Sequence, residues 1–105
     1  MTKLPGRWAL TIRSPIGSIQ AEMTFTIDGG IIDGTATGKG EIVELRNIRT
    51  EQTPSGEHVT WSQSITKPMR MNLDFDVTIR DDELNGHSRA GRLPRSTVTG
   101  RRVSD

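Results

Sequence analysis

The chain alternates apolar and polar residues along most of its length, which is the pattern of β-strands that bury one face. The longest alternating run, Met69–Arg80, has Met, Leu, Phe, Val or Ile at every second position. The same period is found in Arg7–Arg13 and Ser18–Asp28. Shorter runs predict further strands at Ile31–Thr37, Glu41–Thr50, His58–Thr66, Glu83–Ala90 and Arg95–Val103. No segment has a convincing helical period, so the pattern predicts an all-β chain of eight strands.

Two local features refine this pattern. The stretch EIVELRNI within Glu41–Thr50 mixes its parities, which predicts a β-bulge or a strong bend. A weak internal repeat relates IDGGIIDGT (Ile27–Thr35) to IRDDELNGH (Ile79–His87), at an offset of 52 residues. The repeat predicts that Asp81 and Asp82 form the turn and that Gly86 lies inside the following strand, facing inward.

Short connections between the strands predict an antiparallel up-and-down meander. Such a sheet exposes two edges unless it closes on itself. Eight strands form a barrel whose interior holds side chains or one small ligand. With 105 residues, the chain is predicted to be a single domain, residues 1–105, folded as an eight-stranded antiparallel β-barrel.

Composition limits where the protein works and what it binds. There is no Cys, so disulfides and thiolate metal sites are excluded. No apolar run approaches the roughly 18 residues of a membrane span, and the start MTKLPGRW lacks the apolar core of a secretory signal. These observations predict a cytoplasmic protein with no membrane partner. From Gly86 to Asp105 there are five Arg and one acid, which fits a solvated hairpin or a patch for an anionic partner.

Motifs at the two ends of the chain carry a resemblance. They comprise Gly6, Trp8, Leu10, Pro15 and Gly17 at the first strand, and Val98, Gly100 and Arg102 at the last. The chain resembles the calycin class of small barrels, the avidin and lipocalin group, and more closely a set of small uncharacterised bacterial β-barrel domains. The resemblance implies that Trp8 packs against Arg102 at a seam between the first and last strands. The aromatic biotin pocket of avidins is absent, so no family ligand is implied.

Nucleic acid and metal are unfavourable partners for this sequence. Single-strand binders expose aromatic rings on a basic groove, whereas both Trp and both Phe here fall on the inward parity. The two His, His58 and His87, are far apart and on the outward parity, while a structural metal needs several convergent ligands. We therefore expect no nucleic-acid partner, no metal and no cofactor.

Polar residues on the inward parity leave two interpretations of the lumen open. Buried polar groups need partners, so they either form a satisfied network in a filled, structural barrel or orient a ligand in an apolar pocket. The pocket interpretation predicts a small apolar molecule as the ligand. Its binding residues would be Trp61, Gln63, Met69, Met71, Phe75 and Ser88.

An enzyme and an interaction module are the remaining alternatives. Isomerase- or cyclase-type acid–base chemistry needs a carboxylate or His in a dry cavity. Asp74 and Asp76 are on the outward parity, which leaves Glu44 and Arg46, near the predicted bulge, as weak catalytic candidates. The sequence therefore leans away from catalysis. A homo-oligomer stays open, although the outer face predicts no large apolar patch.

Overall fold

The computed structural model describes residues 2–15, 17–66 and 69–103, which form nine β-strands and one antiparallel sheet. The strands are β1 (Gly6–Ser14), β2 (Gly17–Asp28), β3 (Ile31–Gly38), β4 (Glu41–Glu44), β5 (Arg46–Thr53), β6 (Gly56–Ile65), β7 (Met71–Arg80), β8 (Glu83–Ala90) and β9 (Ser96–Arg102). Their order is β4-β3-β2-β1-β9-β8-β7-β6-β5. The sheet curls into a nearly closed barrel, because its two outer strands are consecutive in the chain.

The alternating positions face the interior, as the sequence predicts. All four aromatic residues of the chain are buried, and their exposed fractions do not exceed 2%. The core also includes aliphatic side chains from most strands, namely Leu4, Leu10, Met23, Ala36, Leu45, Val59, Val77, Ile79, Leu84 and Val98. The interior therefore contains a continuous apolar cluster.

The prediction of eight strands is wrong, because the segment Glu41–Thr50 is broken in two. Leu45 lies between β4 and β5 and turns its side chain into the core. Its amide N donates a hydrogen bond to the Gly34 carbonyl oxygen, at 2.9 Å. The β5–β6 register shifts between Arg46 and Arg49, and Asn47 has a φ of 56°. The predicted bend is confirmed, and it divides one expected strand into β4, paired with β3, and β5, paired with β6.

A side-chain bridge joins β4 to the end of β6 where the ladder is interrupted. The Glu41 carboxylate accepts a hydrogen bond from the Thr66 amide N, at 3.0 Å. It also accepts one from the Thr66 hydroxyl, at 2.6 Å. This carboxylate thus links the two sides of the barrel wall at the break.

The internal repeat is visible in the strand register. Gly34 lies opposite Phe25 in the β2–β3 hairpin, and Gly86 lies opposite Val77 in the β7–β8 hairpin. A Cβ on Gly86 would lie 2.1 Å from a backbone oxygen of β7, so only glycine fits there. The predicted turn at Asp81 and Asp82 is confirmed.

The two ends of the barrel differ. At one end, here the capped end, the segment Thr2–Pro5 lies across the barrel and Leu4 is fully buried. This end also holds the β2–β3, β5–β6 and β7–β8 turns. The other end, here the open end, holds the β1–β2, β3–β4, β6–β7 and β8–β9 connections.

Candidate functional site

A row of three paired residues crosses the middle of the barrel on the inner faces of β6, β7 and β8. Trp61 lies opposite Phe75, and Phe75 lies opposite Ser88. The rings of Trp61 and Phe75 are stacked, with centroids 4.8 Å apart and planes 9° from parallel. Phe25 meets Trp61 edge-on at 5.4 Å. These three rings form an aromatic layer in the interior of the barrel.

Gln63 lies one row nearer the open end and is buried. Its side-chain oxygen accepts a hydrogen bond from Trp61 Nε1, at 3.0 Å. Among the described residues, no buried side-chain nitrogen or oxygen lacks a partner. Gln63 therefore holds the indole of Trp61 in place.

The apolar side chains that face inward between the aromatic layer and the open end are only partly buried. Met71 lies opposite Ile65, and Leu73 lies opposite Gln63. The partly buried apolar side chains on this side of the barrel are Ile12, Ile19, Ala21, Val43, Ile65, Met71 and Leu73. Below the layer, by contrast, Trp8, Leu4 and Leu84 are completely excluded from solvent. The side chains around Trp8 are thus excluded from solvent, whereas those around Met71 are partly accessible to it.

Five of the six predicted ligand-binding residues share this region. Trp61, Gln63, Phe75 and Ser88 form its floor, and Met71 lies at its rim. Met69 differs: it precedes β7, whose first residue is Met71, and it is 62% exposed. The sequence pattern predicts a strand that begins at Met69, but β7 begins at Met71. Met69 is therefore not part of the inner wall.

The predicted seam residues are in contact at the capped end. Trp8 and Arg102 are paired across β1 and β9, and the guanidinium carbon lies 4.4 Å from the Trp8 ring centroid. The guanidinium also donates to the carbonyl oxygens of Pro5 (2.7 Å) and Lys3, and to the Asp82 carboxylate (3.0 Å). Arg102 thereby connects the last strand to the N-terminal segment.

Glu57 is a buried carboxylate that the sequence analysis missed. It is only 4% exposed, at the start of β6. Its oxygens accept hydrogen bonds from the Thr2 hydroxyl and from the Lys3 amide N, the latter at 2.8 Å. The Leu4 carbonyl oxygen accepts from Trp8 Nε1, at 2.9 Å. The strand prediction began at His58, so the inward position of Glu57 one residue earlier was the signal that could have identified it.

The weak catalytic candidates do not face the lumen. Glu44 and Arg46 are exposed, because the chain breaks around Leu45 and turns that residue inward instead. Arg46 donates to the Ser64 hydroxyl on the outside of the barrel, at 2.9 Å. The prediction that Glu44 and Arg46 face inward near the bulge is therefore wrong.

Two concavities formed by described residues lie outside the lumen. One, of about 440 Å³, is bordered by Thr2, Lys3, Pro5, Asp81, Asp82 and Arg102 at the capped end. The other, of about 280 Å³, lies over the outer faces of β1, β8 and β9. Both are shallow and mainly polar, unlike the apolar open end.

Two negative findings concern the described residues. Within 2–15, 17–66 and 69–103, no group of three or more His, Asp or Glu side chains is arranged to hold a metal ion. The same residues include no helix with the length and hydropathy of a membrane span.

Comparison with known proteins supports the fold. No protein-family model matches the chain. No curated protein matches it significantly. Among solved structures, the chain is similar to one described as a redesigned β-barrel, with a TM-score of 0.73 and 18% sequence identity. The match covers 96% of this chain and 92% of the other, so it shows a β-barrel fold for almost the entire chain.

Proposed function

We propose that this protein is a calycin-like barrel that binds a small apolar molecule at its open end. The observation that carries the proposal is the difference in burial along the lumen. Leu4, Trp8 and Leu84 at the capped end are fully buried, whereas Ile65, Met71 and Leu73 at the open end are partly exposed. Water against these side chains would be released by an apolar ligand, and that release favours binding.

The calycin-like assignment is supported by the seam. The first-strand Trp8 and the last-strand Arg102 are in contact, which is the arrangement that the resemblance implies. The up-and-down order of the strands, with β1 next to β9, fits the same class.

The floor of the proposed site combines apolar surface with few polar groups, as small-molecule sites usually do. Trp61 and Phe75 form a stacked aromatic pair, and Gln63 is the polar side chain bonded to it. Met71 contributes a flexible side chain to the wall of the site, and Leu73 contributes an aliphatic one. We do not extend the proposal to catalysis, since Glu44 and Arg46 lie on the outside.

Tryptophan fluorescence provides a direct test, because the two Trp residues report on opposite halves of the lumen. Trp61 lies at the floor of the proposed site, and Trp8 lies beside Leu4 at the capped end. Titration with a panel of fatty acids and steroids should change the emission of the wild-type protein. The Trp61→Phe variant keeps Trp8 and should lose most of this change.

A pair of matched variants locates the site independently of the fluorophore. Met71→Asp places a charge at the partly buried rim and should weaken binding at least about tenfold. Ile42→Asp introduces the same charge at an exposed position on β4 and should leave the affinity unchanged. The absence of any response across the panel, or an equal loss in both variants, would overturn the proposal.

A further inference from the structure

Basic residues are concentrated at the open end of the barrel. The segments around its connections carry Arg13, Lys39, Arg70, Arg89, Arg92 and Arg95, while Glu41 and Asp74, the latter opposite Arg89, are the acids among the described residues there. Glu41 already accepts hydrogen bonds from Thr66, and Asp74 accepts one from the Ser62 hydroxyl. The open end therefore presents a cationic surface.

The capped end carries both signs of charge. The β7–β8 turn and its flank contain Asp81, Asp82 and Glu83, but Arg80 lies opposite Glu83 and Arg102 forms an ion pair with Asp82. A negatively charged surface would therefore attract the open end of the barrel more strongly than the capped end.

Exposed apolar side chains lie within the cationic end. Met69 is 62% exposed beside Arg70, and Leu93 is 57% exposed between Arg92 and Arg95. These five residues are here called the basic tip. The paired strands β7 and β8 bring their ends together, because Leu73 lies opposite Ala90 two residues beyond the start of β7. The two connections that carry the tip therefore leave the barrel next to each other.

We infer that the basic tip docks onto the surface of an anionic lipid bilayer. Arginines beside a lipid surface are attracted by its negative potential, at about 1 kcal/mol for each charge. Met69 and Leu93 can enter the boundary between headgroups and acyl chains, where apolar side chains are favourable. The arginines can extend their guanidinium groups back to the phosphates.

This docking requires no membrane-spanning segment. The expectation of no membrane partner followed from the lack of a long apolar run, and a peripheral contact does not need one. The inference also stands without the proposed function, because the basic tip lies outside the lumen. If both hold, the accessible end of the lumen faces the bilayer, which is a source of apolar molecules.

Vesicle co-sedimentation tests the inference with the full chain. Vesicles of phosphatidylcholine with phosphatidylserine should bind the protein at low salt, and vesicles of phosphatidylcholine alone should bind it at least about tenfold more weakly. The R70E/R92E variant should lose about tenfold or more of this affinity. The matched R49E/R101E variant changes the net charge equally on exposed positions outside the tip and should retain most of it.

A second pair of variants separates lipid insertion from simple charge attraction. Leu93→Ser should weaken vesicle binding several-fold, whereas Ile31→Ser, at a similarly exposed position at the capped end, should not. Circular dichroism serves as the control that each variant is folded. Binding that is insensitive to Leu93→Ser, an equal loss in R49E/R101E, or equally tight binding of a single-stranded oligonucleotide would overturn the inference. If the wild-type protein binds the vesicles but its fluorescence does not respond to any ligand of the panel, only the proposed function is overturned.

Discussion

Replacement of Arg102 by Ala should destabilise the barrel strongly. The guanidinium donates hydrogen bonds to two carbonyl oxygens of the N-terminal segment, at Lys3 and Pro5, and to the Asp82 carboxylate. It also covers the ring of Trp8, at 4.4 Å from the centroid. Arg102→Ala removes all of these contacts together, so the N-terminal segment loses its side-chain contacts with the last strand.

The size of the effect follows from these contacts. A hydrogen bond to a charged group contributes about 1.5–3 kcal/mol, and a cation–π contact contributes about 0.5–2 kcal/mol. The contributions are not additive, and water can replace part of them because Asp82 is 75% exposed. We expect a loss of about 3 kcal/mol in the free energy of unfolding. For a domain of this size, the Tm should fall by about 12 °C.

Urea denaturation followed by circular dichroism measures this loss, with two companion variants. Arg101→Ala changes an exposed neighbour on the same strand and should alter stability by less than about 0.5 kcal/mol. Arg102→Lys keeps the charge but not the planar set of donors, so its stability should lie between those of the wild type and Arg102→Ala.

Equal midpoints for Arg102→Ala and Arg101→Ala would refute the reasoning. That result would mean that the N-terminal segment and the β1–β9 pairing hold the capped end without the guanidinium. Full stability in Arg102→Lys would instead show that charge alone is sufficient, and the geometric part of the argument would be wrong.

Three further changes test other parts of the fold. Gly86→Ala should cost about 3 kcal/mol of stability, measured by thermal unfolding, because its Cβ would overlap the backbone of β7. Glu57→Gln should increase the amide hydrogen exchange of Leu4, because the N-terminal segment loses a charged acceptor. Leu45→Ala should cost about 2–4 kcal/mol in urea denaturation, whereas Ile42→Ala on the exposed face of β4 should cost less than about 0.5 kcal/mol.

For each of these three predictions, one result would contradict the structural argument. Normal stability in Gly86→Ala would mean that β7 and β8 can separate without cost. Unchanged exchange in Glu57→Gln would mean that the carboxylate does not hold the segment. Equal costs for the Leu45 and Ile42 variants would contradict the inward turn at the break between β4 and β5.

The strands and the inner face could be predicted because both depend on a local period of two. Alternation alone placed Trp61 and Phe75 inside, and the repeat placed the turn at Asp81. The exact break near Leu45 could not be located in this way, because it depends on a hydrogen bond to Gly34 and on the need to close the sheet.

The capped end was missed for a related reason. Leu4 does not belong to any run of alternating apolar residues, so the pattern does not predict its burial. Glu57 accepts hydrogen bonds from Thr2 and Lys3, which are more than fifty residues away in the chain. Met69 illustrates the converse error. Met69 continues the alternation of β7 toward the N-terminus. However, β7 begins only at Met71, which is the last residue on that side to pair with β6.

The pairing of β1 with β9 also determines the order in which the barrel can form. Most neighbouring strands are joined by short turns and can pair soon after both have been synthesised, whereas β1 must wait for the last strand. Contacts between such distant segments slow folding, because a long loop has to close first. Until β9 pairs with β1, Leu10 and Ile12 have partners only on β2. The early chain therefore carries an unprotected apolar strand edge, and the rate of the final closure governs its exposure to aggregation.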